Sequence, residues 1–113
     1  MDTFAALAEP TRRSILEMLA IEGQMPATAI YKRFDATPPA ISQHLKVLKE
    51  AKLVTVQKRA QQRIYYVNPP VVKELEKWIR QFTARVEKQY QRLDALLARE
   101  KAKTRPSQPE LFD

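Results

Sequence analysis

The sequence contains no cysteine, one histidine (His44) and one glycine (Gly23) among its 113 residues. Without cysteine, disulfide bonds, thiolate metal sites, cysteine nucleophiles and thiol redox sensing are all excluded. A single histidine per chain cannot supply a usual transition-metal site. The chain also has no glycine-rich phosphate loop and no recognisable pair of catalytic carboxylates, so we expect neither a cofactor nor enzymatic activity.

Long apolar segments are missing as well, because no run approaches the roughly 18 residues that a membrane-spanning helix requires. No signal peptide is visible, and the two observations together predict a cytoplasmic protein without a membrane partner. A chain of this length that is 44% hydrophobic can build one small domain with one core. We predict that domain over residues 1–103. Residues 104–113 contain two prolines and little periodicity, which predicts a flexible C-terminal tail.

The charge of the chain is unevenly distributed. The net charge of +7 is concentrated in residues 37–66, with a net charge of +5, and in residues 67–103, with +4. Residues 1–36 and 104–113 each carry a net charge of −1. A concentrated basic surface favours a polyanionic partner, although a basic protein with no nucleic-acid role is the simpler alternative.

Prolines and capping residues divide the chain into predicted elements. We expect a first helix over residues 2–8, a second from Pro10 to a stop at Gly23, and a loop over residues 21–25. A third helix is predicted to begin at Pro26 and a fourth after the capping residue Thr37. Residues 53–67 have the composition of two strands joined by a turn, and a last helix is predicted over about residues 71–103. The expected fold class is mainly α with a small β-hairpin.

Residues 37–66 carry the most informative pattern, a short helix followed directly by the hairpin. Ile41, Leu45 and Leu48 form an apolar stripe at helical spacing. The other helix face carries hydrogen-bonding and basic side chains, and basic side chains cluster near the hairpin tip. Such a helix can contact base edges in duplex DNA while the hairpin contacts phosphates, which is the pattern of a winged helix-turn-helix. The predicted DNA-contacting residues of these two elements are Ser42, Gln43, Lys46, Lys58, Arg59, Gln62 and Arg63.

The remaining candidate residues of this region have two interpretations each. Thr37, Pro39 and Ala40 begin the fourth helix, where free N–H groups and the helix dipole would favour a phosphate, and where simple capping is the alternative. His44 borders the apolar stripe. It is either half-buried and hydrogen-bonded or in contact with the DNA backbone. For the polar helix face and the hairpin tip, an ordinary solvated surface is the alternative to DNA contact.

The last predicted helix carries an apolar stripe that a domain of this size cannot cover by itself. Its apolar residues recur about every 3.5 residues, the period of a helix packed lengthwise on another helix. A helix of about 30 residues is about 45 Å long. A second copy of the chain is the simplest partner for the stripe, which consists of Leu75, Trp78, Ile79, Phe82, Val86, Tyr90, Leu93, Leu96 and Leu97.

With these elements placed, the chain resembles the ArsR family of winged-helix transcriptional repressors. The matching segments are ALAEPTRRSILEML at residues 6–19, PPAISQHLKVLKEAKLV at residues 38–54 and RIYYVNP at residues 63–69. The resemblance implies a homodimer built mainly from the first helix, through Phe4 and Leu7, and from the last helix. It also implies repression by occupation of a palindromic double-stranded DNA operator, with the fourth helix in the major groove.

Two departures from the family pattern concern glycine. The family usually has glycine where Lys52 stands, at a position that often needs a positive φ. It also often has glycine in the hairpin tip, where this chain has Ala60, Gln61 and Gln62, so we expect a wider turn there. Metal-sensing relatives carry cysteine or histidine ligands that this chain lacks, so the resemblance does not extend to Cys/His metal sensing, and no particular effector is indicated.

Three further features have open interpretations. Arg12 and Arg13 match a family signature, and we favour structural ion pairing with Glu9 or Glu17 over DNA contact. The tail sequence QPELF at residues 108–112 is similar to peptides that bind the bacterial sliding clamp, with a chance pair of hydrophobic residues as the alternative. A protein-interaction module that uses the last helix or this tail is the second functional hypothesis for the whole chain.

Overall fold

The computed structural model describes residues 2–103 as five helices and three short strands. In chain order these elements are α1 (Thr3–Leu7), α2 (Pro10–Glu22), β1 (Met25–Pro26), α3 (Ala27–Lys32), α4 (Pro38–Glu50), β2 (Val54–Arg59), β3 (Gln62–Val67) and α5 (Pro69–Lys103). The expected fold class is therefore confirmed: a mainly helical chain with a β-hairpin, called the wing below (β2 and β3), and a long C-terminal helix. The predicted tail and its QPELF sequence lie outside the described residues.

Side-chain caps and prolines fix where the first helices begin. Asp2 Oδ1 accepts a hydrogen bond of 2.7 Å from the N–H of Ala5, and Glu9 Oε2 accepts one of 2.9 Å from the N–H of Arg12. Both bonds satisfy N–H groups that have no partner within the helix. Pro10 and Pro38 occupy the first positions of α2 and α4, where the missing N–H of proline has no cost.

The sheet has one strand more than the hairpin that we predicted. Met25 pairs with Tyr65 and Pro26 with Ile64, which gives an antiparallel sheet in the order β1-β3-β2. The prediction of a loop over residues 21–25 was therefore wrong at both ends, because α2 continues to Glu22 and Met25 joins the sheet. Pro26 is the N-cap of α3 rather than its first residue. The last helix begins at Pro69, slightly earlier than predicted.

The first compact unit of the chain extends through Glu74 and contains the hydrophobic core. Ile41, Leu45 and Leu48 of α4 are at most 1% exposed, so the apolar stripe of this helix is fully buried. They pack with buried residues of α2, α3, the sheet and the segment before β2, namely Ile15, Leu19, Met25, Ile30, Leu53, Val54 and Tyr65. The burial of one side of α4 fixes which of its residues face solvent.

The second compact unit begins at Leu75, and its described part is the rest of α5. Most of the predicted apolar stripe is exposed in the single chain: Trp78, Ile79, Phe82, Val86, Tyr90 and Leu96 are each about half exposed, at 45–53%. The rings of Trp78 and Phe82 stack with their centroids 5.2 Å apart. Among residues 2–103, no helix is both long and apolar enough to cross a membrane.

Among residues 2–103, two non-glycine residues adopt a positive φ, which residues with a Cβ rarely do. Lys52 has a φ of 63°, as expected from the family pattern, and Ala60 has a φ of 54°. The backbone at Lys52 is held by Asn68, whose side-chain amide donates a 2.9 Å hydrogen bond to the carbonyl of Lys52. Our expectation of a wider turn in the wing was wrong, because Arg59 pairs with Gln62 and leaves a two-residue turn.

Candidate nucleic-acid interface

The solvent-facing side of α4 carries the residues that we predicted to contact bases. Ser42, Gln43 and Lys46 are all exposed, and they lie opposite the buried stripe of the same helix. We call these three residues the reading face. Gln43 can donate to and accept from one adenine edge, and Lys46 can donate to guanine or to a phosphate. The fold therefore presents a hydrogen-bonding surface on a helix whose opposite side is anchored in the core.

The beginning of α4 offers fewer phosphate-binding groups than expected. Pro38 and Pro39 have no N–H, and the N–H of Ala40 donates to the hydroxyl of Thr37 over 3.3 Å. The N–H of Ile41 donates to the carbonyl of Thr37 over 3.1 Å. The structure thus favours the capping interpretation of Thr37, because its hydroxyl and carbonyl already accept the N–H groups of Ala40 and Ile41. Thr37, Pro39 and Ala40 are exposed, and their contact with DNA stays a prediction.

The tip of the wing is a basic ribbon. Lys58 lies directly opposite Arg63, and Arg59 lies opposite Gln62, and all four side chains are exposed. Like charges that face each other across an antiparallel pair repel one another. An anion at the tip would remove this repulsion. The arrangement thus suits a phosphate backbone, which is the target that the sequence predicted for these four residues.

His44 does not belong to the solvent-facing side of α4. Its side chain is 23% exposed and points toward the beginning of α2. The ring atom Nδ1 lies 3.4 Å from Arg12 Nη1 and 3.7 Å from Glu9 Oε2. This geometry agrees with the half-buried, hydrogen-bonded alternative for His44, and its contact with the DNA backbone remains a prediction.

Arg12 and Arg13 bind the end of α1. Arg12 donates to the carbonyls of Ala6 over 2.7 Å and Ala5 over 3.2 Å, and Arg13 donates to the carbonyl of Leu7 over 2.6 Å. The prediction of a structural role agrees with these bonds. These partners are backbone carbonyls at the end of α1, and the Glu9 carboxylate accepts from the backbone N–H of Arg12. Ion pairing of the two arginine side chains with Glu9 or Glu17 stays a prediction. The carbonyls at a helix C-terminus lack partners within the helix, and cationic side chains satisfy them well.

Glu9 joins the same group of side chains. Partial burial acts to raise the pKa of its carboxyl, but hydrogen bonds from the N–H groups of Arg12 and Thr11, together with the nearby His44, outweigh burial and hold this pKa below its usual range. Ionised Glu9 therefore stabilises the fold at neutral pH, and that contribution is lost as the pH falls through the lowered pKa. No sequence pattern indicated that His44 joins Glu9 and Arg12, because His44 is 32 residues from Arg12.

The residues predicted for a dimer interface lie in both compact units. In the first unit, Phe4 is 49% exposed and Leu7 is partly buried against the core. In the second unit, Leu75, Leu93 and Leu97 are of intermediate exposure, and the remaining predicted interface residues are more exposed. An apolar stripe of this extent is unusual for a surface that faces only water.

Comparison with known proteins agrees with the geometry. A family model described as a helix-turn-helix domain matches residues 7–57. The transcriptional repressor SdpR of Bacillus subtilis is 35% identical over 81 residues, which is 72% of this chain and 89% of SdpR. A crystal structure of a possible transcriptional regulator for arsenical resistance has 36% identity and a TM-score of 0.66 over 73% of this chain and 84% of that one. A second crystal structure, of an ArsR family transcriptional regulator, has 26% identity and a TM-score of 0.67 over 74% of this chain and 86% of that one.

Proposed function

Because this chain belongs to the ArsR family of DNA-binding helix-turn-helix transcriptional regulators, we propose that it is a repressor that binds a palindromic operator as a homodimer. The observation that carries this proposal is the solvent-exposed reading face on a helix whose opposite side is buried in the core. The exposed basic wing in the same compact unit supports it. The chain then acts on genomic DNA in the cytoplasm, and it is not an enzyme.

In the proposed complex, the two elements have different tasks. The reading face enters the major groove, where Gln43 and Lys46 contact base edges and so select the sequence. The wing contacts phosphates or the minor groove through Lys58, Arg59 and Arg63, which adds affinity without selecting a sequence. The second chain of the dimer repeats both sets of contacts about one helical turn away, and this repetition makes the operator palindromic.

A protein-interaction module built on α5 is the alternative. The observation that favours it is the exposed apolar stripe, which needs a partner of some kind. A second copy of the chain satisfies this need with an identical stripe, and an α5 of 35 residues is long enough for the side-by-side packing that the period indicates. The homodimer therefore accounts for the stripe without a further protein.

Gln43→Ala should reduce affinity for the preferred operator by about 1–3 kcal/mol for each half-site and relax the preference at one base position of each half-site. The reason is the loss of the two hydrogen bonds that a glutamine amide makes to adenine. Binding titrations and a repeated selection from random duplexes with the variant measure both effects. Gln81→Ala, the same change on an exposed position of α5, is the control and should change neither. An unchanged affinity and selected sequence for Gln43→Ala would show that the groove-facing side of α4 has been assigned incorrectly.

We also propose that no transition metal takes part in DNA binding. The chain has no cysteine and one histidine, and residues 2–103 contain no group of three or more His, Cys, Asp or Glu side chains that could hold a metal ion. Operator affinity should therefore be the same with zinc, with copper(I) and with a chelator. A reproducible tenfold shift, about 1.4 kcal/mol of coupling, would contradict this proposal and make His44 with Glu9 the first site to test.

A further inference from the structure

The guanidinium of Arg12 joins three helices at one point. Its Nε and Nη2 donate to the carbonyls of Ala6 and Ala5 at the end of α1, over 2.7 Å and 3.2 Å. Its Nη1 lies 3.4 Å from Nδ1 of His44 on α4. Arg12 itself stands in the first turn of α2, where its N–H donates to the Glu9 carboxylate. A planar guanidinium has donors in a fixed fork, so these bonds hold the three helices in one relative orientation.

His44 links the reading face to α2. His44 directly follows Gln43 of the reading face, but its ring is only 23% exposed and is directed to α2. Glu9 Oε2, at the beginning of α2, also lies 3.7 Å from Nδ1 of His44. Further packing between α2 and α4 involves apolar residues such as Ile15 and Ile41. Apolar packing resists separation of the two helices but is not directional. A hydrogen bond is directional, and it restricts rotation of α4 about its own axis.

We propose that Arg12 and His44 are positioning residues of the DNA-binding site, which fix the rotation of α4 so that the reading face meets base edges at hydrogen-bonding distance. This inference rests on the proposed function, because it assigns a task to two residues of the site that binds the operator. Base contacts depend steeply on distance and angle, whereas phosphate contacts of flexible wing side chains tolerate small shifts. Loss of the Arg12–His44 contact therefore lowers specificity for the operator more than affinity for duplex DNA in general.

Two substitutions of His44 distinguish the effect of its side-chain volume from the effect of its hydrogen-bond acceptor. His44→Leu keeps the size of the side chain but removes the nitrogen that Arg12 faces. His44→Asn places an amide oxygen near the position of Nδ1 and keeps an acceptor there. We expect His44→Leu to weaken operator binding by about tenfold and to leave binding to an unrelated duplex within about twofold. His44→Asn should restore operator affinity to within about threefold of the wild type.

Arg12 and Arg13 offer a matched pair on one helix. Arg12→Lys keeps the positive charge but loses the fork, so it should reproduce the tenfold loss of operator affinity. Arg13 donates to the Leu7 carbonyl of α1 rather than to His44, so Arg13→Lys should leave operator affinity unchanged. The double variant Arg12→Lys/His44→Leu should lose less operator affinity than the product of the two single losses, because both changes break the Arg12–His44 contact.

The outcomes distinguish failure of the proposed function from failure of the positioning role. If wild type selects no duplex sequence at all, the proposed function fails and the positioning role fails with it. If wild type binds an operator and His44→Leu binds it equally well, only the positioning role is overturned. Equal losses on operator and unrelated DNA, or independent losses in the double variant, overturn it too. Thermal unfolding and sedimentation confirm that each variant is folded and assembled like wild type. If His44→Leu does not fold, the comparison of Arg12→Lys with Arg13→Lys decides the question.

Discussion

Replacement of Phe82 and Leu93 by glutamate should convert the protein into a monomer, or into an aggregate, and weaken operator binding by at least about a hundredfold. Both residues belong to the apolar stripe of α5, where Phe82 is 52% exposed in the single chain. In the proposed dimer each glutamate would be an unpaired charge in a buried interface. A monomer reaches one half-site at a time and loses the gain of about 10² or more that two linked contacts provide.

Sedimentation at tens of micromolar and operator titrations measure these two effects. The double variant Gln81→Glu/Ala95→Glu is the control, because it adds the same charges to α5 at exposed positions away from the stripe. It should remain dimeric. A wild-type protein that sediments as a monomer at this concentration would contradict the dimer, and the exposed stripe would then favour a different protein partner.

The second large effect concerns salt. If the dimer covers roughly 6–10 phosphates, the logarithm of operator affinity should fall with the logarithm of salt concentration with a slope of about −5 to −9. Between about 50 and 200 mM salt, affinity then falls by about 10³ to 10⁵. The physical cause is the release of counterions from DNA when basic side chains neutralise phosphates. A flat salt response would mean that the basic surface does not contact DNA.

The wing should account for part of this slope. Arg63→Ala should weaken binding to all duplexes alike and make the slope shallower by about two, since the homodimer loses one phosphate contact in each chain. Arg80→Ala removes one cation from α5, where Arg80 pairs with Glu76 at 2.6 Å, and should leave the slope unchanged. Titrations at four or more salt concentrations, on operator and unrelated DNA, separate the two variants. Equal slopes for Arg63→Ala and wild type would exclude the Arg63 side chain as a phosphate contact.

Short-range sequence patterns predicted α4 and the wing. The spacing of Ile41, Leu45 and Leu48 identified the buried side of α4, and the cap at Thr37 identified its beginning, because both depend only on neighbouring residues. The same signals overstated the phosphate-binding capacity of this helix end. Pro38 and Pro39 have no N–H, and the N–H groups of Ala40 and Ile41 donate to Thr37. The two prolines are visible in the sequence and should have lowered the expected number of N–H donors.

Contacts between distant residues could not be predicted in this way. Strand β1 has two residues, too few for any periodicity, and it exists because β3 supplies its hydrogen-bonding partner. The approach of Arg12 to His44, and of the Asn68 amide to the Lys52 carbonyl, depends on how the helices and strands pack. The tight turn of the wing also escaped prediction, because pairing of the strands holds Ala60 at a φ that alanine rarely adopts.

The most direct test of the proposed function is selection of duplexes from a random pool by the purified protein, followed by footprinting on the enriched sequence. A two-fold symmetric dimer with one reading face per chain predicts a palindromic site whose half-site centres lie about 10 bp apart, with protection symmetric about the dyad. Enrichment of no sequence, or of a sequence without dyad symmetry, would contradict the proposed function.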